Sequence, residues 1–199
     1  MSAVKQIPNA LTISRFFIAA FLVWDAADGA ASRLFVPLFV ASGLSDAVDG
    51  IVARRLKAET VLGCVLDSYA DIALFGGAFI CAYFLAPGVV RKNFPWLVAL
   101  FSLQALSWGL SLVKFRHMTS YHTYSAKAWA IMLFFSLSAL FAFGSTLLLV
   151  PMCVIGIVSN IEETLISAVM PYWKPGITGL RMALRLRSAS LTYSPSQKQ

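Results

Sequence analysis

Charge is what this sequence has least of. Of its 199 residues only 13% are Asp, Glu, Lys or Arg, while 59% are hydrophobic. Soluble domains carry about 25% charged and about 45–50% apolar residues. An ordinary water-soluble globule is therefore excluded, and so is a disordered chain, which needs the opposite balance. Cysteine is also sparse. Cys64, Cys81 and Cys153 lie scattered in apolar stretches, and no Cys-x-x-Cys pair occurs. This excludes a disulfide-knit secreted module and argues against zinc; the three read as small buried hydrophobes. The two histidines, His117 and His122, form no His-Glu-x-x-His pattern. No tandem repeat of fixed period is evident.

Long apolar runs are what the chain does have. A helix that crosses a bilayer needs about 20 apolar residues. Runs at about Leu11–Trp24, Leu34–Ala53, Thr60–Ala86 and Phe94–Val113 each approach that length, and Ala128–Val158 exceeds it. Gly144-Ser145-Thr146 supplies the turn that splits the last run into two. The first run could pass for a signal peptide, but Arg15 inside it and the many runs that follow make it a retained helix. The expectation is an all-α integral membrane protein, a bundle of six transmembrane helices. It forms one domain over residues 1–187, leaving no room for a separate soluble catalytic domain. Any chemistry must then belong to the bundle.

The net charge is +7, from 16 Lys and Arg against 9 Asp and Glu. In so apolar a chain this points to a lipid bilayer and not to nucleic acid, because Lys and Arg gather in cytoplasmic loops. Arg54, Arg55 and Lys57 follow the second run, Lys114, Arg116 and Lys127 follow the fourth, and Lys174, Arg181, Arg185 and Arg187 follow the sixth. That bias puts both termini in the cytoplasm, with the chain crossing the cell (inner) membrane several times. In Gly176–Arg187, Ile177, Leu180 and Leu184 share one helical face, opposite Arg181 and Arg185. This reads as a short interfacial helix, or else a solvated basic tail. Residues 188–199 read as a disordered polar tail.

Acidic residues, rare overall, are concentrated. Asp46, Asp49, Asp67 and Asp71, four of the six aspartates, fall within 26 residues. Charge is costly in lipid, so each invites a functional reading. Asp46 and Asp49 are three apart and Asp67 and Asp71 four apart, so each pair shares a helix face. Two helices joined by the short loop between them could bring both faces together. Four close carboxylates cannot all stay ionised unaided. Hard divalent cations such as Mg²⁺ or Mn²⁺ would resolve this, since they take carboxylate oxygens together with phosphates. Four carboxylates suffice for two ions, the arrangement that clamps both oxygens of a phosphoryl transfer. Gly50, Ala53 and Gly63 leave room for a nucleotide, and Arg54 offers a fork to phosphate. Alternatively, these residues are helix ends and packing positions.

Residues 46–71 read DAVDGIVARRLKAETVLGCVLDSYAD. This resembles the signature of the CDP-alcohol phosphotransferase (phosphatidyltransferase) family, Asp-x2-Asp-Gly-x2-Ala-Arg-x8-Gly-x3-Asp-x3-Asp, at all eight specified positions. The resemblance implies a six-helix membrane enzyme of phospholipid synthesis. Such an enzyme moves a phosphatidyl group from CDP-diacylglycerol to an acceptor alcohol and releases CMP. It implies two divalent ions on Asp46, Asp49, Asp67 and Asp71, with Asp71 also the general base. It places Gly50, Ala53, Arg54 and Gly63 at the CDP. Ile7–Arg15, IPNALTISR, is similar to the opening of bacterial phosphatidylglycerophosphate synthases and suggests glycerol 3-phosphate as acceptor. Ser68, where those synthases commonly carry proline, departs from them and leaves inositol phosphate, inositol, serine, a second phospholipid or a CDP-choline-type donor open.

Ser120–Lys127, SYHTYSAK, resembles a segment of less characterised bacterial members of the family. Arg116, His122 and Lys127 could bind an acceptor phosphate, or could anchor the chain at the interface. Glu162-Glu163 is a further acidic partner or a solvated helix end. Exposed span faces would accommodate a homodimer, which relatives of this kind often form. The competing reading is a cation transporter. Transporters tend to hold their site at the midplane, with repeats and broken helices; here the acidic cluster lies beside a basic loop, and no repeat is evident.

Overall fold

The computed structural model describes residues 7–55, 61–117, 121, 123–174 and 176–192; the side chains of 7–12, 46–55, 61–68 and 189–192 lie outside that description. Among the described residues it is all helical, without a strand. The helices are α1 (Ile7–Ala26), α2 (Phe35–Arg55), α3 (Val61–Leu85), α4 (Pro87–Lys92), α5 (Phe94–Phe115), α6 (Tyr124–Phe143), α7 (Leu149–Val169) and α8 (Leu180–Thr192). Each expected apolar run lies on one of them. The expected turn at Gly144 is present, with φ +64° and its N–H donating to Leu140 O at 2.9 Å. Pro87-Gly88, read from sequence as a simple break, instead opens the short α4. Proline suits a first helical turn, where its missing N–H costs nothing.

Helices α5, α6 and α7 are long and apolar enough to cross a membrane. In α2 and α3 the described apolar stretches, Phe35–Ser45 and Tyr69–Leu85, are shorter, because the aspartate-bearing ends lie outside the described side chains. Among the described residues three helices are thus long and apolar enough to span; the expected six include helix ends that lie outside the described side chains. Large side chains such as Val113 and Phe143 are 86% and 85% exposed. Such apolar exposure is normal against lipid and unusual against water.

The chain divides into two compact units. The first comprises residues 1–92 and 137–145. Within it α1 packs against both α2 and α3 and, among the described residues, is the element that joins them. The α1–α3 contact is built from small residues. A Cβ on Gly77 would meet Val23 Cγ2 at 3.3 Å and Ala19 O at 3.7 Å, and Ala70, Ala78 and Ala82 are buried nearby. Small side chains let membrane helices approach closely and gain dispersion contact where no hydrophobic effect drives association. Phe141, from the last turn of α6, stands edge-on to Phe35 and Phe39, with centroids 5.0 and 5.4 Å away.

The second unit comprises residues 93–136 and 146–199. Here α5 packs on α7, and α7 on α8. Polar residues stitch these contacts. Asn160 Nδ2 donates to Leu100 O at 3.3 Å, and Lys114 Nζ donates to Ser167 O and Ala168 O at 2.9 and 2.8 Å. The lysine so neutralises the carbonyl end of α7, where a cation is favoured. Gly156 is the tightest approach. A Cβ there would lie 2.5 Å from Trp129 Nε1 and 2.6 Å from Leu100 Cδ1. Gly156→Ala is expected to destabilise this unit by about 1–3 kcal/mol through overpacking, read as a lower melting temperature in detergent.

The apolar face of α8 departs from expectation. Ile177 precedes the helix, and with Ala183 it is buried in a core with Tyr121, Ile166 and Met170; Leu180 and Leu186 pack on its edge. Leu184, placed by sequence on the same face, is exposed. Ala183 is buried where α8 packs on α7, so protein covers this face. Outward lie Arg181, Arg185 and Arg187. The helix continues to Thr192, beyond Arg187. Cys81 and Cys153 are free and buried, as expected of small hydrophobes; the side chain of Cys64 is outside the description.

Candidate active site

The eight signature residues fall on two helices of the first unit. Asp46, Asp49, Gly50, Ala53 and Arg54 occupy the last turns of α2, and Gly63, Asp67 and Asp71 the first turns of α3. Their helical backbone preserves the facial spacing that the sequence suggested. Of these side chains only that of Asp71 is among those described. The side chains of the other seven, Asp46, Asp49, Gly50, Ala53, Arg54, Gly63 and Asp67, lie outside those described.

Asp71 is held by a residue from a distant part of the chain. Arg15, on α1, lies within 3.1 Å of it, Nη1 to Oδ1, and donates a hydrogen bond there. The side chain of Arg15 is 0% exposed, whereas that of Asp71 is 40% exposed. The cation is sealed between helices while the carboxylate opens outward. Sequence reading noticed Arg15 as a charge in an apolar run but assigned it no role in the site. The available signal was its cost in lipid, which calls for a partner.

Beside Asp71, α1 and α3 border an open apolar groove of about 630 Å³, lined among others by Phe16, Ala20, Ile72, Ala73 and Gly76. The donor set that the signature brings to α2 and α3 is all carboxylate oxygen. That chemistry fits a hard divalent cation and does not fit a soft one.

The residues considered for an acceptor lie in the second unit. Arg116 follows α5 in a left-handed conformation (φ 57°) and is exposed. Lys127 is exposed in the first turn of α6, its Nζ 5.7 Å from the Tyr124 ring centroid. His122 lies outside the described residues. Their neighbours in the same segment do structural work. Thr123 Oγ1 accepts the Ala126 N–H at 3.1 Å and so caps α6. Tyr121 is buried and accepts a hydrogen bond from Ser167 Oγ at 3.2 Å. Burial pushes its phenol above the usual range; the Ser167 bond opposes this and the charge of Glu163 reinforces it.

Glu162 and Glu163 also have partners. Glu162 accepts from Ser125 Oγ at the start of α6 and from the Leu180 N–H at the start of α8, the latter at 3.1 Å. It ties three elements of one unit together, and a Cβ on Gly179 would approach its Oε1 to 3.2 Å. Glu163 Oε2 lies 3.5 Å from Ser107 Oγ. Both therefore pair within the second unit; neither is merely a solvated helix end.

Comparison with known proteins bears on what this arrangement serves. The family model described as CDP-alcohol phosphatidyltransferase matches residues 5–186. A protein of Rickettsia typhi, named CDP-diacylglycerol–glycerol-3-phosphate 3-phosphatidyltransferase, is 33% identical over 75 residues, 37% of this chain and 42% of that protein. The protein of the same name from Wigglesworthia glossinidia brevipalpis is 35% identical over 83 residues, 40% of this chain and 46% of that one. A Schizosaccharomyces pombe protein named cardiolipin synthase (CMP-forming) / mitochondrial hydrolase fusion protein is 33% identical over 100 residues, 48% of this chain and 15% of its own length. The chain spans less than half the length of these curated relatives. No solved structure matches.

Proposed function

Because the chain belongs to the CDP-alcohol phosphatidyltransferase family, we propose that it transfers a phosphatidyl group from CDP-diacylglycerol to an acceptor alcohol and releases CMP. The observation that carries this is the complete eight-residue signature, Asp46 to Asp71, set on the adjoining ends of α2 and α3. Glycerol 3-phosphate is the preferred acceptor, supported by the names of the Rickettsia and Wigglesworthia relatives. The similarity to a fission-yeast protein named as a cardiolipin synthase supports a second reading, in which the acceptor is itself a phospholipid.

In this account Asp46, Asp49, Asp67 and Asp71 hold two divalent ions, whose charge offsets that of the diphosphate and the departing CMP. Gly50, Ala53 and Gly63 let the nucleotide lie close to the helix backbone, and Arg54 pairs with phosphate. Asp71 accepts the proton of the acceptor hydroxyl. The apolar groove between α1 and α3 suits a donor with lipid tails. Arg116, His122 and Lys127 are assigned, more loosely, to an acceptor phosphate. The full bundle has six spans in the inner membrane, with both termini and the basic loops in the cytoplasm, and α8 turns its arginines to the lipid headgroups.

The test is a product assay. Purified protein in lipid nanodiscs receives CDP-diacylglycerol, Mg²⁺ and one acceptor at a time. The set comprises glycerol 3-phosphate, inositol phosphate, inositol, serine and phosphatidylglycerol, and products are identified by mass. A phosphatidylglycerophosphate product is expected. A cardiolipin product would instead select the second reading, and no product with any acceptor would remove both.

A further inference from the structure

We propose that Arg15 is a positioning residue for Asp71. It holds that carboxylate from its buried side so that the exposed part faces what the site binds. This rests on the reading of Asp71 as metal ligand and base. Three observations carry it. First, the pair is asymmetric: Arg15 is 0% exposed and Asp71 40%. An ion pair serving only to knit helices gains nothing from leaving one partner open. A pair that presents a carboxylate needs that asymmetry. Second, Arg15 is buried in a closely packed seam between α1 and α3. One turn beyond it on α1, Ala19 lies against Gly77 of α3, where an added Cβ would sit 3.7 Å from Ala19 O and 3.3 Å from Val23 Cγ2. A planar fork held this way sets orientation as well as charge. Third, the bond Nη1–Oδ1, at 3.1 Å, engages one carboxylate oxygen. Groups behind metal-binding carboxylates orient them in this manner, and their loss costs about 10–100-fold in metal affinity or activity.

The experiment uses the full chain in nanodiscs, with Arg15→Met, Arg15→Lys and Asp71→Asn. Mn²⁺ binding to the metal-free protein is followed by electron paramagnetic resonance, alongside kcat and KM for CDP-diacylglycerol and the melting temperature. Arg15→Met is expected to weaken Mn²⁺ binding by about tenfold or more and to lower kcat by about 10–100-fold. Its KM at saturating Mg²⁺ should stay within about threefold, because the fully buried Arg15 is out of a donor's reach. Arg15→Lys, which keeps the charge and loses the fork, should fall between. If Arg15→Met melts lower yet keeps wild-type Mn²⁺ affinity and kcat, the pair only packs helices and the proposal is overturned. Should Arg15→Met fail to fold, Arg15→Lys decides: weakened Mn²⁺ binding at unchanged melting temperature supports the proposal, and wild-type values on both overturn it. An Asp71→Asn variant that binds Mn²⁺ and turns over normally would remove the reading of Asp71 and this inference with it. An impaired Asp71→Asn beside a normal Arg15→Met removes the inference alone.

Discussion

Asp71→Asn is expected to lower CMP release by at least about a thousandfold while the protein stays folded. A lost general base costs about 10²–10⁴-fold by itself, and the same change removes one charge from the proposed ion site. Folding should survive for a local reason. The Asp71 side chain is 40% exposed, so its replacement empties no cavity, and the amide oxygen still accepts from Arg15 Nη1. The main cost falls on Arg15, whose buried cation loses the charge of Asp71; a fall of a few degrees in melting temperature is the expected extent. The check is a CMP assay beside size-exclusion and thermal-melt profiles. Near-normal release from a folded variant would end the assignment of Asp71 as base.

Removal of divalent ions is expected to stop turnover altogether and reversibly. In the proposed site, four carboxylates brought together from α2 and α3 repel one another. With no cation, each approach of a diphosphate adds further negative charge to the same place. Arg15 on α1 and Arg54 and Arg55 at the end of α2 are too few to balance four carboxylates and a diphosphate. Excess EDTA should bring CMP release to background, and added Mg²⁺ or Mn²⁺ should restore it. Ca²⁺, larger and looser in its coordination, is expected to restore little. Undiminished turnover in excess chelator would contradict the two-ion mechanism.

The parts of the fold that were legible in sequence are those that depend on local pattern. Apolar runs of span length became α1, α2, α3, α5, α6 and α7, because a chain in lipid must satisfy its backbone hydrogen bonds internally. Gly144 ended a helix because it can take positive φ at no steric cost. The signature fell on helices because its spacing is helical. What stayed hidden depends on long-range contact. Arg15 and Asp71 are 56 residues apart, and no periodicity links them. Tyr121 and Thr123 sit in a segment whose polar character suggested a binding site. A core contact and a helix cap account for them equally well by composition, and only the positions of Ser167 and Ala126 decide. The face of α8 was misjudged for a similar reason. Amphipathicity shows that a face is apolar, not whether lipid or a neighbouring helix covers it. Glu162 and Glu163 found protein partners, although their adjacency at a helix end suggested solvent as readily.

The most direct test of the whole account is CMP release from CDP-diacylglycerol by the purified wild-type protein, with Mg²⁺ and the full mixture of acceptors. The account predicts CMP and new phospholipid in equal amounts, and neither when Mg²⁺ is left out. Intact CDP-diacylglycerol after prolonged incubation of folded, Mg²⁺-loaded protein would contradict it.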